Sequence, residues 1–375
     1  MKAIINANIQ KEDGTFALGN VLYDKEIIDV FCPVPDGIEI IDANGGYLTP
    51  GLIDAHCHLG MVGDSLGMES DDGNEDTDPI TPHLRAIDAI NPFDRGFIEA
   101  KEAGVVCVVT GPGSANAIGG QFAAIKTHGI SVDDMIIKAP QSIKFALGEN
   151  PKSVYSDKDD TPATRMGTMA LIREALYKAK EYMEKEDADF DIKNEALIPL
   201  LEGKIPAKIH AHRADDICSA IRLKKEFGIN ITIEHCTDGE RVLEIIKREE
   251  IPVMLGPTLT DRSKPELKNL GFSIYKAFDD AGISTAIITD HPETTIGNLR
   301  LMALLAVKNG MKKESALLSI TTNAAKNTGI SDKVGEIKKG LNANFALFNG
   351  HPMDFESDNI LTIIDGEEVY KKAVE

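Results

Sequence analysis

Hydrophobic and polar positions follow three regimes along the chain. Up to about residue 50, short apolar stretches at 2–7, 16–22, 25–31 and 38–43 are broken by Asp13-Gly14 and Pro35-Asp36-Gly37. Such punctuation predicts short β-strands joined by turns, too few to close a core by themselves. From about residue 51, β-branched apolar runs alternate with segments of helical spacing. Runs at 52–58, 105–110, 142–147, 207–212, 231–235, 252–255 and 284–291 predict strands, and 92–103, 164–186, 194–201, 215–227, 239–248 and 264–281 predict helices. A repeated unit of strand, polar tip and helix predicts a parallel (β/α)8 TIM barrel. One stretch departs from the alternation: 121–127 and 135–139 read as the arms of a hairpin inserted into the regular pattern. The last regime holds two helices within 299–327, a turn at 334–340, and strands at 343–348, 360–364 and near Val369 that would pair with the N-terminal ones. The expected architecture is therefore α/β, with a barrel over 51–334 and a small β-sandwich built from 1–50 and 335–375.

The strand tips carry the chemistry. Leu52-Ile53-Asp54-Ala55-His56-Cys57-His58 ends in two histidines that share one face of a strand, because side chains alternate with a period of two. Ala207-Lys208-Ile209-His210-Ala211-His212 repeats the device, Ile231-Thr232-Ile233-Glu234-His235 ends in one histidine, and 284–291 ends in Asp290-His291. Six of the nine histidines sit at such tips, whereas His83, His128 and His351 do not. In a barrel the C-terminal strand ends gather round one mouth. Imidazoles and carboxylates converging there form a site for zinc or a similar divalent ion. A further ligand could come from Glu149, just past the 142–147 strand, or from a carboxylated Lys144 within it.

Composition narrows the partners. The formal charge of −20 opposes nucleic-acid binding, which needs clustered cations to neutralise phosphates. No run of about 18 apolar residues is present, so no membrane span is expected, and the N-terminus lacks a signal peptide's apolar core; a cytoplasmic protein is expected. The five cysteines are odd in number, widely spaced and without a Cys-x-x-Cys pair, which fits buried free thiols. The acidic loop over 60–78 reads either as a solvated surface loop or as a lid on the mouth. A small-molecule substrate follows from the site, and a homo-oligomer is compatible with everything above.

The Pro-Gly-Leu-Ile-Asp-Ala-His-Cys-His opening, the histidines ending two later strands, the final aspartate and the Gly-x-Ile-x-x-Gly turn at 335–340 together closely resemble the amidohydrolase superfamily over nearly the whole chain. The His-Ala-His strand is most similar to its imidazolonepropionase-related and prolidase-like branch. The resemblance implies a distorted barrel and one or two metal ions hydrolysing amide or other C–N bonds, as an amidase, dipeptidase or cyclic-amide hydrolase. It implies His56, His58, His210, His235 and Asp290 as ligands, with Asp290 also shuttling the proton of the attacking water. Glu149-Asn150-Pro151 resembles the Glu-Gly-Pro of the sugar-deacetylase branch, whereas Ile143-Lys144 resembles the carboxylated lysine of the dipeptidase branch, so both stay open. His212 is expected to bind the substrate carbonyl, support a ligand or ligate directly. Arg213, His291 and Arg165 are candidates for substrate binding. Asn344 departs from the aspartate usual in the terminal turn, a matter of packing. Two other readings use the same residues: deamination of a ring imine, and a non-catalytic barrel that retains the metal site.

Overall fold

A computed structural model describes residues 1–63 and 70–373. Strands β1 (Lys2–Gln10), β2 (Phe16–Tyr23), β3 (Ile27–Val30), β4 (Glu39–Asp42) and β5 (Tyr47–Pro50) open the chain. Eight strands follow: β6 (Leu52–Cys57), β7 (Val105–Thr110), β8 (Ile118–Lys126), β9 (Ile136–Ala146), β10 (Ala207–Ala211), β11 (Ile231–His235), β12 (Val253–Leu255) and β13 (Thr285–Ile287). The chain closes with β14 (Phe345–Phe348), β15 (Asn359–Ile364) and β16 (Glu367–Lys371).

Both chain ends build one sheet, ordered β16-β15-β14-β5-β1-β2-β3 with β4 also paired to β1. The ends meet where β14 runs antiparallel to β5, Phe345 opposite Pro50 and Phe348 opposite Tyr47. The sheet has its own core around Ile4, Ile9, Tyr23, Leu48, Phe345 and Ile363, which fits the small β unit expected from the short strands at both chain ends. Asn344 takes a structural place here, accepting the Asp365 amide at 2.7 Å. Gly51 then carries the chain into the barrel; a Cβ there would lie 2.2 Å from a Val106 methyl, so only glycine permits the approach.

The second sheet runs β6 to β13 in order. Strands β6, β7, β10 and β11 are buried along their whole length, which is why they read as continuous apolar runs rather than alternating ones. The ring is closed beyond the end of β13, where the Asp290 amide donates to the His56 carbonyl (3.1 Å) and the His58 amide to the His291 carbonyl (2.9 Å). Ligand candidates thus form the seam of the barrel.

The hairpin is real, but it is not an insertion. Strand β8 is antiparallel to both β7 and β9, so the hairpin supplies two barrel staves in place of a strand–helix–strand unit. This is the distortion of the barrel. The expected arms at 135–139 and the strand at 142–147 are one continuous strand, β9. Pro140, which breaks the pattern in sequence, falls where the β8–β9 register shifts between Phe122 and Ala124. A residue without an N–H is tolerated at such a bulge. Outside the barrel, the expected 164–186 helix is Arg165–Glu184, capped by Thr164 Oγ1 accepting the Gly167 amide at 3.0 Å. No helix among the described residues is long and apolar enough to cross a membrane.

Candidate metal centre

Two groups of donors meet at the C-terminal mouth. His56, His58 and Asp290 form one, His210, His212 and His235 the other, and within each the donor atoms lie within 4.8 Å of one another. His56 Nε2 and His58 Nε2 stand 3.3 and 3.2 Å from Asp290 Oδ1. The ring centroids of His210 lie 4.6 Å from His212 and 4.5 Å from His235. Strand alternation alone would not aim all of these inward. Glu234 already faces the barrel interior, so His235 in a regular strand would point away. It is turned by a left-handed backbone, φ 70° at His235 and 54° at Cys236, and Asp290 is likewise held at φ 52°. Such conformations cost free energy in a non-glycine residue and cluster at functional sites.

The polar atoms of the mouth are incompletely paired. Neither ring nitrogen of His210 has a hydrogen-bond partner, nor do His56 Nδ1 or Asp290 Oδ1, although all are buried. Each such atom costs free energy unless something satisfies it. A divalent ion would do so, because the donors have the right chemistry, neutral imidazoles and an ionised carboxylate. Burial holds His56, His210 and His212 well below the usual histidine range and lowers His235 to about 4. Burial pushes the Asp290 carboxyl up, but the adjacent His235, His56 and His58 outweigh it and hold the group well below the ordinary carboxylate range. Burial also lowers Lys144 to about 8, against the pull of Asp290 and Glu234, and raises Asp54 to about 7 despite its hydrogen bonds from Thr289.

These shifts set an acid limit for the metal-free protein. Four histidines stay neutral in the fold while the unfolded chain protonates them below about pH 6.5, so the unfolded state binds more protons and stability falls as pH falls. Asp54 acts in the opposite sense, since the folded protein keeps its proton up to about pH 7. The four histidines outnumber the one opposing carboxyl, so stability falls steeply as the pH drops below about 6. Urea unfolding of chelated protein at pH 7.5, 6.5, 5.5 and 4.5 should show it; a midpoint independent of pH over that range would contradict the buried neutral histidines.

The remaining expected residues divide sharply. Lys144 Nζ lies 3.2 Å from His56 Nε2, inside the donor set. His212 belongs to the second triad, its Nδ1 2.8 Å from Thr237 Oγ1. Glu149 opens the helix Glu149–Ser156, half-buried, and its side chain lines an outer cavity with Lys152, Arg165 and Arg213 instead of the histidine pocket. Arg213 and Arg165 are engaged with carboxylates of the helix Ala214–Phe227, Arg213 with Asp215 at 2.7 Å and Arg165 with Asp216 at 2.9 Å. His291 turns its ring away: Nδ1 accepts the Ile296 amide at 3.1 Å. None of these three lines the histidine pocket, a cavity of about 340 Å³ walled also by Asn74, Asn150, Lys264 and Glu293. Asp71, Gly73 and Asn74 of the acidic loop reach this pocket, and the Gly113 amide pins the loop through the Gly73 carbonyl at 2.7 Å. Residues 64–69 of that expected lid lie outside the described residues.

Several buried polar groups had no expectation attached. Glu266 Oε1 lies 3.5 Å from His210 Nε2 and 3.0 Å from Lys264 Nζ. Asp54 accepts both the amide and the hydroxyl of Thr289 across the seam. Lys208 and Glu234 form an ion pair beneath the histidines. The sequence signal for the last two was there: a lysine and a glutamate inside runs otherwise apolar enough to be buried.

Comparison with known proteins gives one coherent result. A family model described as the amidohydrolase family matches residues 205–369. The crystal structure of an amidohydrolase from Thermotoga maritima MSB8 has a TM-score of 0.96 and 39% sequence identity, over 99% of this chain and 100% of that one. Amidohydrolase tasK of Hapsidospora irregularis is 28% identical over 93% of this chain but 39% of its own length, so the chain spans about two fifths of that relative. An imidazolonepropionase of Thermoplasma acidophilum is 24% identical over 89% of this chain and 83% of its own.

Proposed function

The chain belongs to the amidohydrolase family, hydrolases acting on carbon–nitrogen bonds, and from that premise we propose that it hydrolyses an amide bond at a divalent metal centre. The centre would be held by His56, His58, His210, His235 and Asp290, with carboxylated Lys144 as the shared ligand. The observation that carries this reading is the meeting of two donor triads from four strand ends, with the Lys144 amine 3.2 Å from His56. Zinc suits the histidine-rich set. A divalent ion bound there supplies a water of lowered pKa and polarises the scissile carbonyl.

The chain's own residues do the rest. Asp290, ionised and with its side chain 14% exposed at the pocket floor, takes the proton of the attacking water and returns it to the leaving nitrogen. His212 is oriented by Thr237 and opens on the pocket, placed to hold the substrate carbonyl or to join the ligands. Lys144 in its neutral form adds carbon dioxide at Nζ, giving a carbamate and releasing one proton, and so provides an anionic oxygen donor where the strand carries no carboxylate. The pocket's size admits a small molecule, and Asn74, Asn150, Lys264 and Glu293 make part of its wall polar.

The test is a product analysis. Metal-loaded protein is screened against N-acyl amino acids, dipeptides and cyclic amides, and a new amine and a new carboxylate should form together. Release of ammonia from a ring imine without a new carboxylate would replace this reading with deamination. Protein purified with His56 and His58 intact should contain about one or two ions per chain; none at all, with no uptake of added zinc, would sink the metal centre.

A further inference from the structure

The interior of a (β/α)8 barrel is ordinarily filled by branched apolar side chains, yet one layer beneath the histidines this barrel buries an ion pair. Lys208 on β10 and Glu234 on β11 expose 1% and 0% of their side chains and stand 3.1 Å apart, Nζ to Oε2. Desolvating two charges often costs more than their attraction returns, and an apolar pair of similar volume commonly serves stability as well or better. The pair's contacts point to another role. Lys208 Nζ also donates to the Ala55 carbonyl at 2.9 Å, the peptide that leads directly into His56. Thr232 Oγ1 donates to Glu234 Oε1 at 2.5 Å, which leaves Oε2 facing His56 Nδ1, 3.5 Å away. That ring nitrogen and that oxygen are both buried and, the Lys208 ion pair aside, neither has a hydrogen-bond partner.

The other histidines of the mouth sharpen the contrast. Nδ1 of His58 lies 2.6 Å from the Gly111 carbonyl, that of His235 2.8 Å from the Gly256 carbonyl, and that of His212 2.8 Å from the Thr237 hydroxyl. All three meet neutral acceptors. At Nδ1, His56 alone of these four has no neutral acceptor and faces a carboxylate instead, while its Nε2 lies 3.3 Å from Asp290 and 3.2 Å from Lys144.

We propose that Glu234 is a positioning residue for His56: it accepts the Nδ1 proton and so fixes the tautomer whose Nε2 lone pair faces Asp290 and Lys144. Lys208 pairs with the carboxylate and, through Ala55, ties it to the backbone of the residue it orients. A neutral imidazole carries one N–H, and the partner at one nitrogen decides which atom is left to ligate. A carboxylate partner also makes the ring a stronger donor than a carbonyl does. Glu234 does not reach the pocket; it acts through His56. The inference rests on the reading of His56 as a metal ligand.

Three measurements test it. Nitrogen NMR of metal-free wild-type protein with isotope-labelled histidine, with His56 assigned by its loss in His56→Gln, should find the Nδ1–H tautomer; the Nε2–H tautomer overturns the proposal whatever the variants do. Zinc titration against a chromophoric chelator should show about 10- to 100-fold weaker binding in Lys208→Met/Glu234→Leu, a double variant that leaves no unpaired buried charge. Glu234→Gln, whose side-chain carbonyl still accepts a proton, should fall in between. A folded double variant with wild-type zinc affinity overturns the proposal. Zinc binding undiminished in His56→Gln would overturn the metal reading and this inference with it, whereas the tautomer and the double variant bear on the inference alone.

Discussion

Asp290→Asn should fold as the wild type does and lose about 10³-fold in kcat. Asparagine has nearly the same shape, and the backbone bond that closes the barrel, Asp290 amide to His56 carbonyl at 3.1 Å, does not involve the side chain. What disappears is a carboxylate kept ionised by His235, His56 and His58 in spite of its burial. An amide cannot take the proton of the attacking water or deliver it to the leaving nitrogen. The acidic limb of the pH–rate profile, which reports the essential base, should therefore vanish together with the rate. Thermal unfolding by circular dichroism and the count of bound ions separate this from misfolding or loss of metal from the triad that Asp290 shares with His56 and His58. Turnover within about threefold of wild type, with the acidic limb preserved, would remove Asp290 from the proton path.

What the sequence made legible at the site follows from periodicity. His56 with His58, and His210 with His212, are two apart on strands, and a barrel sends every strand tip to the same mouth, so their convergence needs no knowledge of loops. Asp290 and His235 were legible as tips, although their inward aim depends on left-handed backbone at both residues. No glycine marks those positions, so the pattern could not announce it. The same twist explains why Glu234 escaped notice. In a regular strand Glu234 and His235 face opposite sides, and only the turn at His235 lets both point inward. The substrate candidates lie outside the histidine pocket for a related reason. Arg213 and Arg165 lie beside an acidic helix start whose Asp215 and Asp216 capture them; the first pair is local, and the second spans 51 residues and is not encoded in the local pattern. In the fold, the hairpin was visible in its turn, but Pro140 concealed that its second arm continues as β9.

The choice between Lys144 and Glu149 turns on where β9 ends. The strand runs through Ala146, and the chain then turns at Gly148, φ 82°, into the helix that Glu149 begins. Lys144 thus remains on the inward face of the barrel, 1% exposed, while the Glu149 side chain is carried to the outer cavity. Carboxylation needs the neutral amine, and burial lowers Lys144 to about 8, so about half of it is neutral near pH 8 where an ordinary lysine is almost wholly charged. Lys144→Ala should lose about 10³-fold or more in kcat/KM and weaken zinc binding, because the shared anionic donor is gone. Added acetate, a carboxylate free to enter the space left by the side chain, should restore part of both. Glu149→Gln should stay within about threefold of wild type, as expected for a side chain that lines the outer cavity and not the histidine pocket. Metal-free protein reloaded with zinc should regain activity faster with bicarbonate than without, and isotope-labelled bicarbonate should give a carbamate resonance that is absent from Lys144→Ala. The opposite pattern, zinc and activity lost in Glu149→Gln and kept in Lys144→Ala, would require the helix start to unwind and swing Glu149 into the mouth, and would transfer the shared-ligand role to it.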